Sequence, residues 1–147
     1  LKFQVYGIHK SLGISVLILV AVRLFWKLTN TSPVLPAHMK PIEKLAAHAG
    51  HAALYLLLIA MPLSGWVMSS AAGFPVSVFG LFTLPNLVAA DRELLNDMKD
   101  VHELLANGII LLVSVHALAA LFHHFYHKDN VLKRMLPFVK VNEGDNA

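Results

Sequence analysis

Three apolar stretches, at about Ile8 to Trp26, Leu45 to Met68 and Val101 to Tyr126, are each long enough to cross about 30 Å of hydrocarbon. A backbone inside lipid must satisfy its own hydrogen bonds, which makes a helix the expected form of all three. The fold class expected is all-α, a transmembrane helical bundle. Charged residues make up only 14% of the 147, where a soluble domain carries about 25%. Three spans leave room for a single membrane domain over 1–147 and little else.

The basic residues give the orientation. Arg23, Lys27, Lys40, Lys44, Lys128, Lys133, Arg134 and Lys140 fall on one side of the spans. Lys2, Lys10, Arg92 and Lys99 fall on the other, offset by Asp91, Glu93, Asp97 and Asp100. By the positive-inside rule the 27–44 loop and the C-terminal tail 127–147 are cytoplasmic and the 70–100 loop is outside. Trp26, Trp66 and Tyr126 sit near span ends, where interfacial aromatics belong. Because the basic residues flank spans, the pI near 9.3 does not point to nucleic acid. The first span then starts outside, with Leu at position 1 and no signal-peptide pattern. At least one N-terminal span is therefore expected to be missing from the sequence.

The connections read less regularly. Pro33, Pro36 and Pro41 make residues 28–44 an extended inner loop. Residues 69–86 mix Gly73, Pro75, Gly80 and Pro85 with Phe74, Phe79 and Phe82. That segment is too broken to span and too apolar to float free, so it is expected on the outer interface or over the bundle mouth. Asp91 to Lys99 reads as a short amphipathic piece. Asp100 and Glu103 have capping-box spacing, which would start the third helix just before His102. Pro62 and Gly65 predict a kink near the outer end of the second span. The tail after Pro137 reads as a solvated end.

Nine histidines and no cysteine frame the chemistry. Without cysteine there is no disulfide, iron–sulfur ligation, thiol catalysis or thioether-attached heme. His102 and His116 stand fourteen positions apart on one span. At 100° and about 1.5 Å per residue, they return to within about 40° of one face, roughly 21 Å apart in depth. Two stacked hemes would need that of a shared helix, and polar groups inside a membrane normally face a partner or cavity. His9 opens the first span level with His102, so the two could hold one iron from opposite faces of a porphyrin. His116 then belongs to a second, inner site. Each of the three has a small residue one turn on (Gly13, Ala106 and Ala120), which leaves room for a flat macrocycle, although such residues are also common at helix contacts.

His48 and His51 lie near the cytoplasmic end of the second span. His51 is level with His116 but followed by Tyr55 one turn on. A ligand role, the polar lining of a small-molecule site and a plain interhelical contact all stay open for it. His123, His124 and His127 read as interfacial, with proton delivery or propionate contact as the functional alternative. His38, in a loop, is given no role.

Several runs carry a family resemblance. They are His9-Lys10-Ser11-Leu12-Gly13, Val22-Arg23-Leu24, Leu45-Ala46-Ala47-His48-Ala49-Gly50-His51 with Tyr55, Val101-His102-Glu103-Leu104-Leu105-Ala106-Asn107, and Val115-His116-Ala117-Leu118-Ala119-Ala120-Leu121-Phe122-His123-His124. With Lys128-Asp129-Asn130 and Arg134-Met135, the chain resembles the bacterial cytochrome b561 family over almost its whole length. The resemblance implies a four-helix bundle with two b-type hemes, of which three helices are present here. It implies His9 and His102 as ligands of the outer heme. It implies His116 for the inner heme, whose partner histidine lies on a first helix absent from this sequence. About one tightly held heme is therefore expected in the chain as given, at His9 and His102.

The function implied is that of a b-type cytochrome of the bacterial cytoplasmic membrane, an oxidoreductase taking electrons from superoxide outside and passing them to ubiquinone. Lys10 and Lys99 become candidates for attracting a small anion, and His48, His51 and Arg23 for the quinone side; no residue is assigned a catalytic role. Two other readings remain open. One is a heme-bearing anchor that links a hydrogenase or dehydrogenase to quinone, as a homo-oligomer or with a redox partner subunit. The other is a histidine-lined transporter of metal or heme, which would lack a b-type spectrum.

Overall fold

The computed structural model describes residues 1–128 and 131–136, apart from the side chains of His127, Val131 and Arg134. The expected solvated tail after Pro137, and Asp129-Asn130 of the matched run, lie outside the described residues. Three helices carry the chain: α1 (Lys2–Thr29), α2 (Pro41–Ala71) and α3 (Arg92–Phe122). All three are long and apolar enough to cross a membrane. A two-stranded antiparallel hairpin, β1 (Val76–Val78) and β2 (Phe82–Leu84), separates α2 from α3. A π-helical turn, His123–His127, follows α3, and a short α4 (Val131–Met135) comes after it.

The helix ends show why each element begins and stops where it does. Pro41 stands at the first helical position of α2, where its missing N–H costs nothing. Glu43 Oε2 reaches back to accept the Lys40 N–H at 2.8 Å, one half of a capping box. The loop between α1 and α2 is therefore 30–40 rather than 28–44. At its far end α2 closes in a Schellman motif. Gly73, at φ +80°, donates its N–H to Ser70 O at 2.8 Å, and the Phe74 N–H reaches Ser69 O at 3.0 Å. Pro62 lies buried within α2, and the helix continues past both it and Gly65.

The start of α3 differs from the sequence expectation. Asp91, not Asp100, is the cap: its Oδ1 accepts the N–H groups of Glu93 at 2.9 Å and Leu94 at 3.1 Å. The Asp100–Glu103 pair lies inside the helix, and the amphipathic piece expected at 91–99 is its opening turns. An Asp followed by an acidic first turn satisfies the orphan N–H groups nine residues earlier. The Asp91 N–H is itself held by Ala71 O at 2.9 Å.

The chain divides into two compact units. The first comprises Leu1–Thr31 and Tyr55–Ile109. Its core is Ile14 of α1 with Val76 and Val78 of β1, flanked by Trp66 and Leu84. The 69–86 segment, read as irregular, forms the hairpin here because its backbone groups find partners on the helices. Ser11 Oγ, 2% exposed, accepts the Phe79 N–H at 2.9 Å and donates to Gly7 O at 2.8 Å. Trp66 Nε1 donates to Pro85 O at 2.9 Å, and Ser70 Oγ accepts the Leu87 N–H at 3.1 Å. A loop set among apolar side chains needs this complete accounting of its polar groups. The hairpin turn is closed by Leu81 N–H to Val78 O at 2.9 Å. Phe79 and Gly80 both have positive φ, as the tight hairpin turn requires.

The second unit comprises Ser32–Leu54 and the chain from Ile110 onward. Pro36, Met39, Ala120 and His123 are buried among its described residues, and the Phe122 and Tyr126 rings stack at 5.0 Å. Lys128, at φ +52°, ends the π-helical turn with its N–H on His123 O.

Candidate functional site

In the first unit, α1 presents His9 and α3 presents His102, with ring centroids 6.2 Å apart and planes at 80°. Both line a cavity of about 510 Å³ whose walls are otherwise largely apolar, among them Ile14, Leu58, Trp66 and Val76. Gly13, one turn from His9, also lines it, and a Cβ added there would meet nothing within 4 Å. Lys10 and Lys99 line the same cavity. Among the described residues that line it, they are the only basic side chains besides the histidines, and none is acidic.

His102 is seated by α2. Its Nδ1 lies 2.8 Å from Ser64 Oγ, and Ser64 Oγ donates to Met61 O at 2.7 Å. A hydroxyl has one proton, and a carbonyl can only accept. With the Ser64 proton on Met61, Ser64 Oγ is an acceptor for a His102 Nδ1–H. That tautomer leaves Nε2 with its lone pair. Gly65 completes the seat, since a Cβ there would stand 3.2 Å from His102 Cε1. The sequence reading used Gly65 for a kink; the structure uses its missing side chain for the approach of a ring. Ser64 was not singled out from the sequence at all.

These residues fit heme b. A metal–imidazole nitrogen bond of about 2 Å puts two rings that share one iron about 6 Å apart between centroids, the separation found for His9 and His102. Among the described residues, no three His, Cys, Asp or Glu gather to hold a bare ion. Two imidazoles suit an iron whose remaining ligands come from a macrocycle. The unprotonated Nε2 of His102 and the open space at Gly13 are what such a group would meet. His9 and His102 would hold it, and Gly13 would lie along its face.

In the second unit the structure brings His51 and His116 together, with centroids 5.5 Å apart and planes at 71°. These rings are closer than the His9–His102 pair, and closer than rings that share an iron. Tyr55, which the sequence reading set beside His51, accepts a hydrogen bond from Arg23 Nε at 3.2 Å, with Lys27 Nζ 5.1 Å from its ring centre. Both contacts lie within the first unit, and Arg23 is exposed. His48 is exposed as well. His38, given no role from the sequence, has its ring 6.2 Å from that of His123. His123, read as interfacial, is 8% exposed, and His124 Nδ1 is buried with no hydrogen-bond partner among the described residues. The π-helical turn draws these rings inward, and nothing in local periodicity signals such a turn.

Comparison with known proteins gives a consistent answer. The chain matches the family described as prokaryotic cytochrome b561 over residues 1–138. It is 42% identical over 130 residues to cytochrome b561 homolog 2 of Escherichia coli (strain K12), covering 88% of this chain and 69% of that protein. It is 38% identical over 130 residues to a Yersinia pestis protein named "Probable superoxide oxidase CybB", covering 88% and 73%. Cytochrome b561 homolog 1 of Escherichia coli (strain K12) is 35% identical over 129 residues, covering 88% and 73%. With three membrane-length helices and a cavity built around paired imidazoles, this chain belongs to the prokaryotic cytochrome b561 family, the heme b-binding electron-transfer cytochromes of the membrane.

Proposed function

We propose that this cytochrome oxidises superoxide at the His9–His102 site and delivers the electrons to ubiquinone. The observation that carries the reading is the grouping of His9, His102, Lys10 and Lys99 on one cavity. Two cations beside an otherwise apolar chamber raise the local concentration of a small anion. Superoxide is such an anion, and it loses one electron to become dioxygen. Two superoxide anions therefore supply the two electrons that, with two protons, convert ubiquinone to ubiquinol. The relative named a superoxide oxidase supports the same substrate.

Bound heme b supplies one-electron exchange at a potential set by its axial ligands, burial and hydrogen bonds. The chain's part is to hold iron through His9 and His102, to keep water out with apolar walls, and to draw the anion in with Lys10 and Lys99. In this reading His116 ligates a second, inner heme. His51, beside it, serves the quinone end together with His48, and protons come from the cytoplasmic side that the basic loops mark. The membrane is the bacterial cytoplasmic membrane, with the 30–40 loop and the C-terminus inside.

Heme-loaded protein mixed with a superoxide source and a soluble ubiquinone tests the reading. Quinol should form in step with superoxide consumption. Heme-loaded protein that consumes no superoxide, or forms no quinol while doing so, overturns it.

A further inference from the structure

We propose that Ser64 is a positioning residue for His102, selecting the tautomer that presents Nε2 to iron and setting how strongly that imidazole donates electrons. The proposal rests on the reading of His9 and His102 as ligands of one heme.

The geometry gives the hydroxyl two partners at once. Ser64 is buried at 7% exposure, and its oxygen stands 2.7 Å from Met61 O and 2.8 Å from His102 Nδ1. Five other helical hydroxyls, those of Ser11, Ser15, Thr29, Ser70 and Ser114, bond a carbonyl four residues back in their own helix. Ser64 bonds a carbonyl three residues back and spends its free lone pair on a histidine of another helix. With its proton committed to Met61, it accepts from Nδ1–H, and the other tautomer would leave two acceptors facing each other. The ring lies close over Gly65, where an added Cβ would stand 3.2 Å from Cε1, so the absent side chain leaves room for this placement.

An acceptor on Nδ1–H draws that proton outward and makes the opposite nitrogen more basic. A more basic imidazole stabilises ferric over ferrous iron and lowers the potential of the heme it holds. Ser64 acts on the electron-transfer equilibrium of this site without touching substrate or heme.

Redox titration of the full chain in detergent, followed by the b-type absorbance, tests the proposal on S64A, S64C and S64T. Ala has no acceptor and the Cys sulfur is a weak one, whereas Thr keeps the hydroxyl. S64A should favour the ferrous state of the His9–His102 heme about tenfold, which is about 59 mV upward for a one-electron couple. S64C should move the same way, and S64T should stay near the parent. Loss of heme from S64A and S64C with retention in S64T equally supports the proposal. An unshifted potential in heme-loaded S64A overturns it, as does an S64T shift as large as that of S64A, or heme loss from all three variants. A parent chain without a b-type spectrum would instead overturn the heme reading itself.

Discussion

His9 and His102 come from helices separated by most of the chain, yet their rings stand 6.2 Å apart at 80°, nearly perpendicular. Perpendicular planes can share one axis, so both rings can direct a nitrogen along the same line. This pair organises the first unit, and the seat built by Ser64 and Gly65 holds one half of it in place.

His102→Ala should remove the heme of this pair while leaving any heme bound through His116. The two histidines lie fourteen residues, about four helical turns, apart on α3. Heme per polypeptide and the reduced-minus-oxidised spectrum check this. Equal loss of every heme signal from a variant that keeps its helical circular dichroism would contradict independent sites.

His51→Ala should leave heme content unchanged and slow quinone reduction about tenfold or more, the usual scale for removing a partner beside a ligand. The 5.5 Å separation from His116 is too short for the two rings to share an iron. Heme loss from this variant would show that the rings part to admit one, making His51 a ligand.

Substitutions at two glycines should both weaken heme binding, but only one should cost stability. Gly65→Ala places a methyl 3.2 Å from His102 Cε1 and forces the ring or the helix to shift. Such overpacking costs about 1–3 kcal/mol and should lower both thermal stability and heme retention. Gly13→Leu enters space with nothing within 4 Å of its Cβ, so helicity should be kept while heme binding falls. Comparing melting temperature with heme occupancy for each variant separates the two effects.

Lys10→Gln with Lys99→Gln should slow superoxide consumption and flatten its dependence on ionic strength. Steering by a focused charge raises association rates 10- to 1000-fold and is screened by salt. Stopped-flow rates at low and high salt provide the check, and a double variant with the parent's salt slope would remove these lysines from anion capture.

The existence of three spans, and the level at which His9 and His102 enter them, could be read directly from the chain. Apolar run length and helical periodicity are local properties, and a bilayer enforces them regardless of neighbours. The capping-box spacing of Asp100 and Glu103 points to the wrong residue as the start of α3. Asp91 wins because its own N–H is also taken by Ala71, a contact between residues twenty positions apart. The 69–86 hairpin was illegible for a similar reason: its turn and strands are short, and what orders them is Ser11, Trp66 and Ser70 on the helices.

Ser64 is the clearest case of what the chain order conceals. A serine in an apolar helix ordinarily bonds a carbonyl of its own preceding turn, and nothing distinguishes one that also reaches a histidine thirty-eight residues away. Lys10 with Lys99, and His51 with His116, could be paired by level along their spans, but the shared cavity and the 5.5 Å ring separation are tertiary facts. Periodicity says which residues share a face of one helix. Which face of the next helix they meet depends on rotation and packing between helices, settled by shape and hydrogen bonding across the contact.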